Sequence, residues 1–254
     1  MASIVDAFND TFNDNMSYVK FVIYAIPVYF CADFFIKGQM SSFYLWATIV
    51  GILLLGLLTK GIHNVRTNNK EILTLNPLSL IISIIKAGIV VIPQLAVYYF
   101  IGEIITKNIT IPLDIPHIQL IFNIIIWSIL GAIVFTSYIS FAKYLSIKEG
   151  YNYLKVIPAS IDMLVSMIFA VPQFAIANVI LAGPVAYLFW FFHIPFMHWG
   201  FIGFCSVLFI INISLAGNYF AQLSYEHLRA SKNEIYEDHQ INSLLNDMNT
   251  DRNI

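Results

Sequence analysis

Charge is what this sequence has least of. Aspartate, glutamate, lysine and arginine make up 11% of its 254 residues, against about 25% in soluble domains. A water-soluble fold of this length would need a polar surface that the chain cannot furnish. The two signs nearly cancel, with 13 basic and 15 acidic residues, so there is no electrostatic footprint for nucleic acid. Cysteine is scarce too. Cys31 and Cys205 both fall in apolar runs, where a free thiol behaves as a small hydrophobe, and this argues against a disulfide framework. Catalytic signatures are missing: there is no HExxH, no GxSxG, no glycine-rich phosphate loop and no cysteine with a ligand-like neighbour. The expectation is a protein that is not an enzyme and carries no cofactor or metal. His193 and His198 lie five apart around Pro195, a poor ligand spacing without a nearby carboxylate or thiolate. They read as interfacial histidines.

What the chain has instead is apolar mass, 59% of all residues. It is gathered into runs long enough to cross a bilayer, which takes about 20 helical residues. The expected class is all-α: a polytopic bundle of six transmembrane helices. The runs are Phe21 to Ile36, Ser42 to Ile62, Leu78 to Ile105, Ile118 to Leu145, Ile157 to Leu181 and about Phe196 to Leu223. The third exceeds one crossing, and tilt, a proline kink or an interfacial first turn would absorb the surplus. Ala182 to Pro195, rich in aromatic residues, suits the outer interface.

Lys20, Lys60, Arg66, Lys70, Lys86, Lys143, Lys148, Lys155, Arg229, Lys232 and Arg252 fall on one side of these spans, and only Lys37 and Lys107 on the other. The positive-inside rule then predicts cytoplasmic N and C termini. The isoleucine, asparagine and lysine bias suits a bacterial inner (plasma) membrane. Residues 1–17 read as an amphipathic cytoplasmic lead-in, with Ile4, Phe8 and Phe12 four apart. Residues 18–225 form the six-helix domain, and 226–254 a cytoplasmic helix or tail.

A hexapeptide recurs: IPQLAV at 92–97 and VPQFAI at 171–176. With AIPVYF around Pro27, it places a proline in the first helix of each consecutive pair, and the second helices have none. The segments that follow those second helices also rhyme, HNVRTNNKEI from His63, AKYLSIKEGY from Ala142 and HLRASKNEIY from His227. Three tandem helical hairpins, each with its first helix kinked at Pro27, Pro93 or Pro172, describe this pattern. Proline frees a carbonyl that must be satisfied nearby, and Gln94 and Gln173 stand ready beside two of them.

The lead-in DAFNDTFNDNMSYVKFVIYAIP, the proline-bearing first helices, and the KE-containing loop followed by NPLS and IPAS resemble six-helix membrane proteins of bacteria and archaea grouped as a domain of unknown function. A looser similarity reaches the membrane domain attached to some bacterial glycerophosphodiester phosphodiesterases. The resemblance covers residues 1 to about 230. It implies the six-helix fold and supplies no catalytic residue, and no phosphodiesterase catalytic domain is present.

Polar side chains inside spans are the natural functional candidates, because hydrocarbon penalises them. Ser83, Lys86 and Gln94 recur along the third span; Asp162, Ser166 and Gln173 along the fifth; Ser214, Asn218 and Gln222 along the sixth. If they converge, they line a cytoplasm-facing cavity in which Lys86 pairs with Asp162. If not, they are interhelical hydrogen bonds, at about 0.6 kcal/mol each. The leading functional expectation is a protein that organises membrane lipid or binds another envelope protein. The alternative is a small-solute transporter or channel using the polar cavity. Nothing in the sequence fixes the oligomeric state.

Overall fold

A computed structural model describes residues 3–13, 16–67, 73–109, 117–192 and 197–228. The order is α1 (Ile4–Asn13), α2 (Ser17–Ile36), α3 (Met40–Arg66), α4 (Pro77–Asn108), α5 (Ile118–Tyr144), α6 (Ile147–Gly150), α7 (Tyr153–Phe192) and α8 (Met197–His227). No strand occurs among the described residues. Six of these helices, α2, α3, α4, α5, α7 and α8, are long and apolar enough to cross a membrane. The chain is an all-α polytopic bundle.

Local chemistry fixes several ends. Asn76 caps α4, its side chain accepting from the Ser79 N–H at 3.2 Å, with Pro77 in the first turn. There proline loses a donor that would be unpaired anyway. Between α2 and α3 the chain reverses at Gly38, whose φ of 69° suits a residue without Cβ.

The helices pack as an inner triangle with three outer staves. The proline-free second helices α3, α5 and α8 all touch one another. Each proline-bearing first helix fills the groove between its own partner and the inner helix of another hairpin. Thus α2 lies on α3 and α8, α4 on α5 and α3, and α7 on α8 and α5. Because lipid tails are as apolar as leucine, association depends on close approach and polar contacts rather than on burial from water. Glycines permit that approach. A Cβ added at Gly56 would lie 2.6 Å from Ile84 and one at Gly102 2.6 Å from Trp127, while Gly217 faces Gly61 across the α3–α8 contact.

Surplus helix length is taken up at one end. Lys143 near the end of α5 donates to the carbonyls of Ser224 and Leu228 at the end of α8, so α5 and α8 finish level. Lys155 lies 5.1 Å over the ring of Tyr144 at that level, and Ser166 still meets His227 there at 3.1 Å. The stretch between them, about 16 Å of helix, therefore runs along the end of the bundle before α7 turns in. α4 is oblique in the same way. Its Leu80 and Ile84 oppose Gly56 of α3, yet Gln94 is bonded to Ser137, whose neighbour Tyr138 is level with Thr59. At its other end α7 continues past Leu181 to Phe192 with Pro184 inside it, so the aromatic stretch expected at the interface begins as helix. Residues 193–196 lie outside the described residues, as do the side chain of His198 and all of the tail beyond Leu228.

The amphipathic lead-in is α1, and its stripe packs on the bundle: Ala7 is fully buried, with Ile4 and Phe8 against the main apolar cluster and Phe12 against a second. The described basic residues Lys20, Lys60, Arg66, Lys86, Lys143, Lys148 and Lys155 belong to one end, called here the basic end, and Lys37 and Lys107 to the far end.

Candidate functional site

The best-defined polar constellation surrounds Pro93. Proline at that position leaves the carbonyl of Ile89, four residues back, without its helical donor. The Tyr151 hydroxyl donates to that carbonyl at 2.8 Å. Next to it, the Gln94 amide donates to Ser137 Oγ at 2.6 Å and to the Gly150 carbonyl at 3.2 Å, and Ser137 donates to the same carbonyl. Ser140 donates to the Glu149 carbonyl at 3.0 Å. The short α6 and the two residues after it are thus wedged between α4 and α5, and only glycine fits at the point of the wedge. A Cβ at Gly150 would sit 2.7 Å from Val90 and 3.0 Å from Phe141 Cβ.

A second constellation closes the basic end of the triangle. Lys143, 4% exposed, places its ammonium on two carbonyls at the α8 C-terminus, where a cation is favoured by the helix dipole. Its own carbonyl accepts from Arg66 at 3.3 Å and lies 3.3 Å from His63 Nδ1. Arg66 stacks 4.0 Å from the ring centre of Tyr144, and Tyr225 donates to the Arg66 carbonyl at 3.1 Å. Deeper in, Thr59 donates to the Leu55 carbonyl at 2.7 Å, leaving its oxygen to accept from Tyr138 at 2.8 Å.

The nine candidate lining residues divide among these and other neighbours. Ser83 is buried and donates to the Ser79 carbonyl of its own helix. Lys86 is half-buried on the side of α4 that faces Lys60 and His63. Gln94 is 2% exposed and bonded as described. On α7, Asp162 and Gln173 are exposed, and Ser166 is half-buried beside His227. On α8, Ser214 is buried, its hydroxyl without a hydrogen-bond partner. Asn218 donates to Asp10 of α1 at 3.1 Å and accepts from Gln222 at 2.9 Å, while the Gln222 oxygen takes the Ser3 N–H at 2.6 Å. No ion pair joins Lys86 to Asp162 among the described residues, and α7 packs mainly on α5 and α8. Asn218 and Gln222 of the α8 stripe hold the N-terminal segment and α1.

Sequence reasoning missed Lys143, Gly150 and Tyr151. In the sequence Lys143 reads as a topology signal, and its flanking FA and Y are the cue to its burial. The EGYN stretch, next to a span holding Pro-Gln, was the signal for the wedge.

Elongated apolar grooves open sideways on the bundle. One of about 560 Å³ runs between α2 and α8, lined by Val28, Ala32, Ile36, Phe201, Ile202, Cys205, Ser206 and Phe209. At its far-end mouth Lys37 lies 2.7 Å from the buried carboxylate of Asp33 and 4.5 Å over the ring of Trp199. Another, of about 490 Å³, lies between α4 and α5 beside Tyr99 and Trp127. A third, of about 420 Å³, separates α7 from α8 above Phe174 and Asn212. Among the described residues no three His, Cys, Asp or Glu side chains gather as a metal site would require.

No family model, curated protein or solved structure matches this chain.

Proposed function

We propose that this protein is a non-enzymatic integral membrane protein that holds lipid against its flanks. The observation that carries the reading is the α2–α8 groove: a lateral apolar channel ending at an Asp33–Lys37 pair under Trp199. Apolar walls suit an acyl chain, an indole suits the interface, and adjacent opposite charges suit a zwitterionic phospholipid headgroup. The wedge at Pro93 and the closure at Lys143 add support, since the Gln94 amide N–H, the Tyr151 hydroxyl and the Lys143 ammonium are engaged by backbone and side-chain acceptors of the protein itself. The transport reading requires Lys86, Asp162 and Asn218 to share one chamber, and each has a different set of neighbours. A bacterial inner membrane, cytoplasmic termini, a threefold internal repeat and the resemblance to six-helix membrane families belong to the same proposal.

The test is lipid retention. Protein extracted in native-lipid particles and exchanged into mild detergent is expected to keep phospholipid detectable by mass spectrometry. Ala32→Trp, which fills the groove, and Lys37→Gln, which removes the headgroup contact, are each expected to reduce retention several-fold, whereas Val165→Trp on the exposed face of α7 leaves it unchanged. Equal retention in all variants, or solute flux into proteoliposomes that Ala32→Trp leaves intact, would overturn the reading.

A further inference from the structure

Several cations of the basic end are matched to an acceptor inside the protein. Lys143 holds two carbonyls of α8, Arg66 holds the Lys143 carbonyl and stacks on Tyr144, and Lys155 lies 3.5 Å from the Glu149 carboxylate. Lys60 and Lys86 differ. Both are half-buried, and neither ammonium has an ion pair or hydrogen bond among the described residues.

The α3–α4 contact brings these two lysines together. Gly56 is approached so closely that an added Cβ would lie 2.6 Å from Ile84 and 2.9 Å from Leu80. Lys60 follows Gly56 by one turn and Lys86 follows Ile84 by two residues, so both side chains leave the same crossing. His63, three residues beyond Lys60, is half-buried with its Nδ1 3.3 Å from the Lys143 carbonyl. Lys86 is near enough for its charge to act on both Lys60 and His63.

No carboxylate balances this group among the described residues. Glu149 is taken by Lys155, Asp10 accepts from Asn218, and Glu226 lies 3.9 Å from His227. Asp6 and Asp162 are exposed on α1 and α7, which pack on α2, α5 and α8. Half-burying like charges together is costly unless a counter-charge arrives.

Depth and surroundings identify that counter-charge. Lys60 and His63 stand six and three residues before the end of α3, about 9 and 5 Å from it, which is headgroup level for a helix that crosses a bilayer. Ile82 and Ile89, four residues before and three after Lys86 and so on its flank of α4, are exposed and offer an apolar wall beside the cations. Basic pockets between spans take acidic lipid headgroups, and lysine meets phosphate as a point charge.

We propose that Lys60 and Lys86, with His63 beside them, bind the phosphate of an anionic phospholipid whose chains lie along Ile82 and Ile89. The site is at the opposite end of the bundle from the α2–α8 groove and uses other helices, so it stands or falls independently of the lipid proposed there.

The test titrates the purified full chain in detergent with phosphatidylglycerol, phosphatidylcholine or inorganic phosphate and follows the unfolding temperature. Phosphatidylglycerol is expected to raise it by several degrees more than phosphatidylcholine does, and inorganic phosphate to have little effect. Lys60→Gln and Lys86→Gln should each roughly halve that difference, and the double variant should abolish it. Without added lipid the double variant should unfold at or above the parent temperature, since the like charges are gone. Lys60→Arg with Lys86→Arg should keep the difference, as should Lys148→Gln, exposed on α6 at the same end, and Ala32→Trp in the α2–α8 groove. A difference that survives the double glutamine variant, or that Lys148→Gln lowers equally, would overturn the proposal. So would stabilisation by inorganic phosphate equal to that by phosphatidylglycerol, which would assign the cations to a soluble anion.

Discussion

One dipeptide, Pro-Gln, occurs at 93–94 in α4 and at 172–173 in α7, and the two copies live in different surroundings. Gln94 is enclosed, bonded to a serine and to a backbone carbonyl, and the carbonyl that Pro93 frees is taken by Tyr151. Gln173 is exposed and has none of these contacts among the described residues. The motif sets the shape of a helix, and the segment packed beside it decides whether the amide is an internal bond or an available one. The α7–α8 pair shows another solution nearby, where Asn178 and Asn212 exchange reciprocal amide hydrogen bonds at 2.7 Å.

Three substitutions, the first two each set against a comparison variant, should separate the two copies, and all can be read by thermal or denaturant unfolding in detergent. The largest effect is expected at Gly150→Val, which drives a branched side chain into Val90 and Phe141 and should cost about 2 kcal/mol or more. Gly183→Ala, where an added Cβ meets nothing within 4 Å, is its control and should stay within about 0.5 kcal/mol of the parent. Next comes Gln94→Leu, which takes the amide donor from buried Ser137 and one of two donors from the Gly150 carbonyl and should cost about 1–3 kcal/mol. Gln173→Leu should cost clearly less, and equal losses at the two positions would erase the distinction drawn above. The smallest is Tyr151→Phe, worth about 1 kcal/mol as one hydrogen bond to a proline-freed carbonyl. If Tyr151→Phe is silent, the carbonyl is satisfied some other way.

The spans were legible because hydrocarbon imposes one rule on every backbone group, and an apolar run of sufficient length obeys it as a helix. Proline positions were legible for the same reason, as departures from that rule. Depth was harder. Lys143 looks like any other lysine of the positive-inside count, yet it is buried because the end of α8 offers two carbonyls to its ammonium. The polar stripes of α4 and α8 lie within long apolar helices. Their partners were hidden, since Asn218 is held by Asp10, which is 208 positions away in sequence. Helical periodicity gives a face but not what stands opposite it. Likewise the obliquity of α4 and α7 depends on which residues of α3, α5 and α8 end level with them, and that is a property of three helices together.

The arrangement of staves around the triangle also constrains how the molecule is made. α1 and α2 leave the ribosome well before α8, and both pack on it. Until α8 arrives, α2 has only one of its two neighbouring spans and Asp10 has no Asn218 to accept from. Insertion can proceed hairpin by hairpin, but closure waits for α8. A nascent chain stalled before α8 therefore carries α1 without its main docking surface and α2 open along one side.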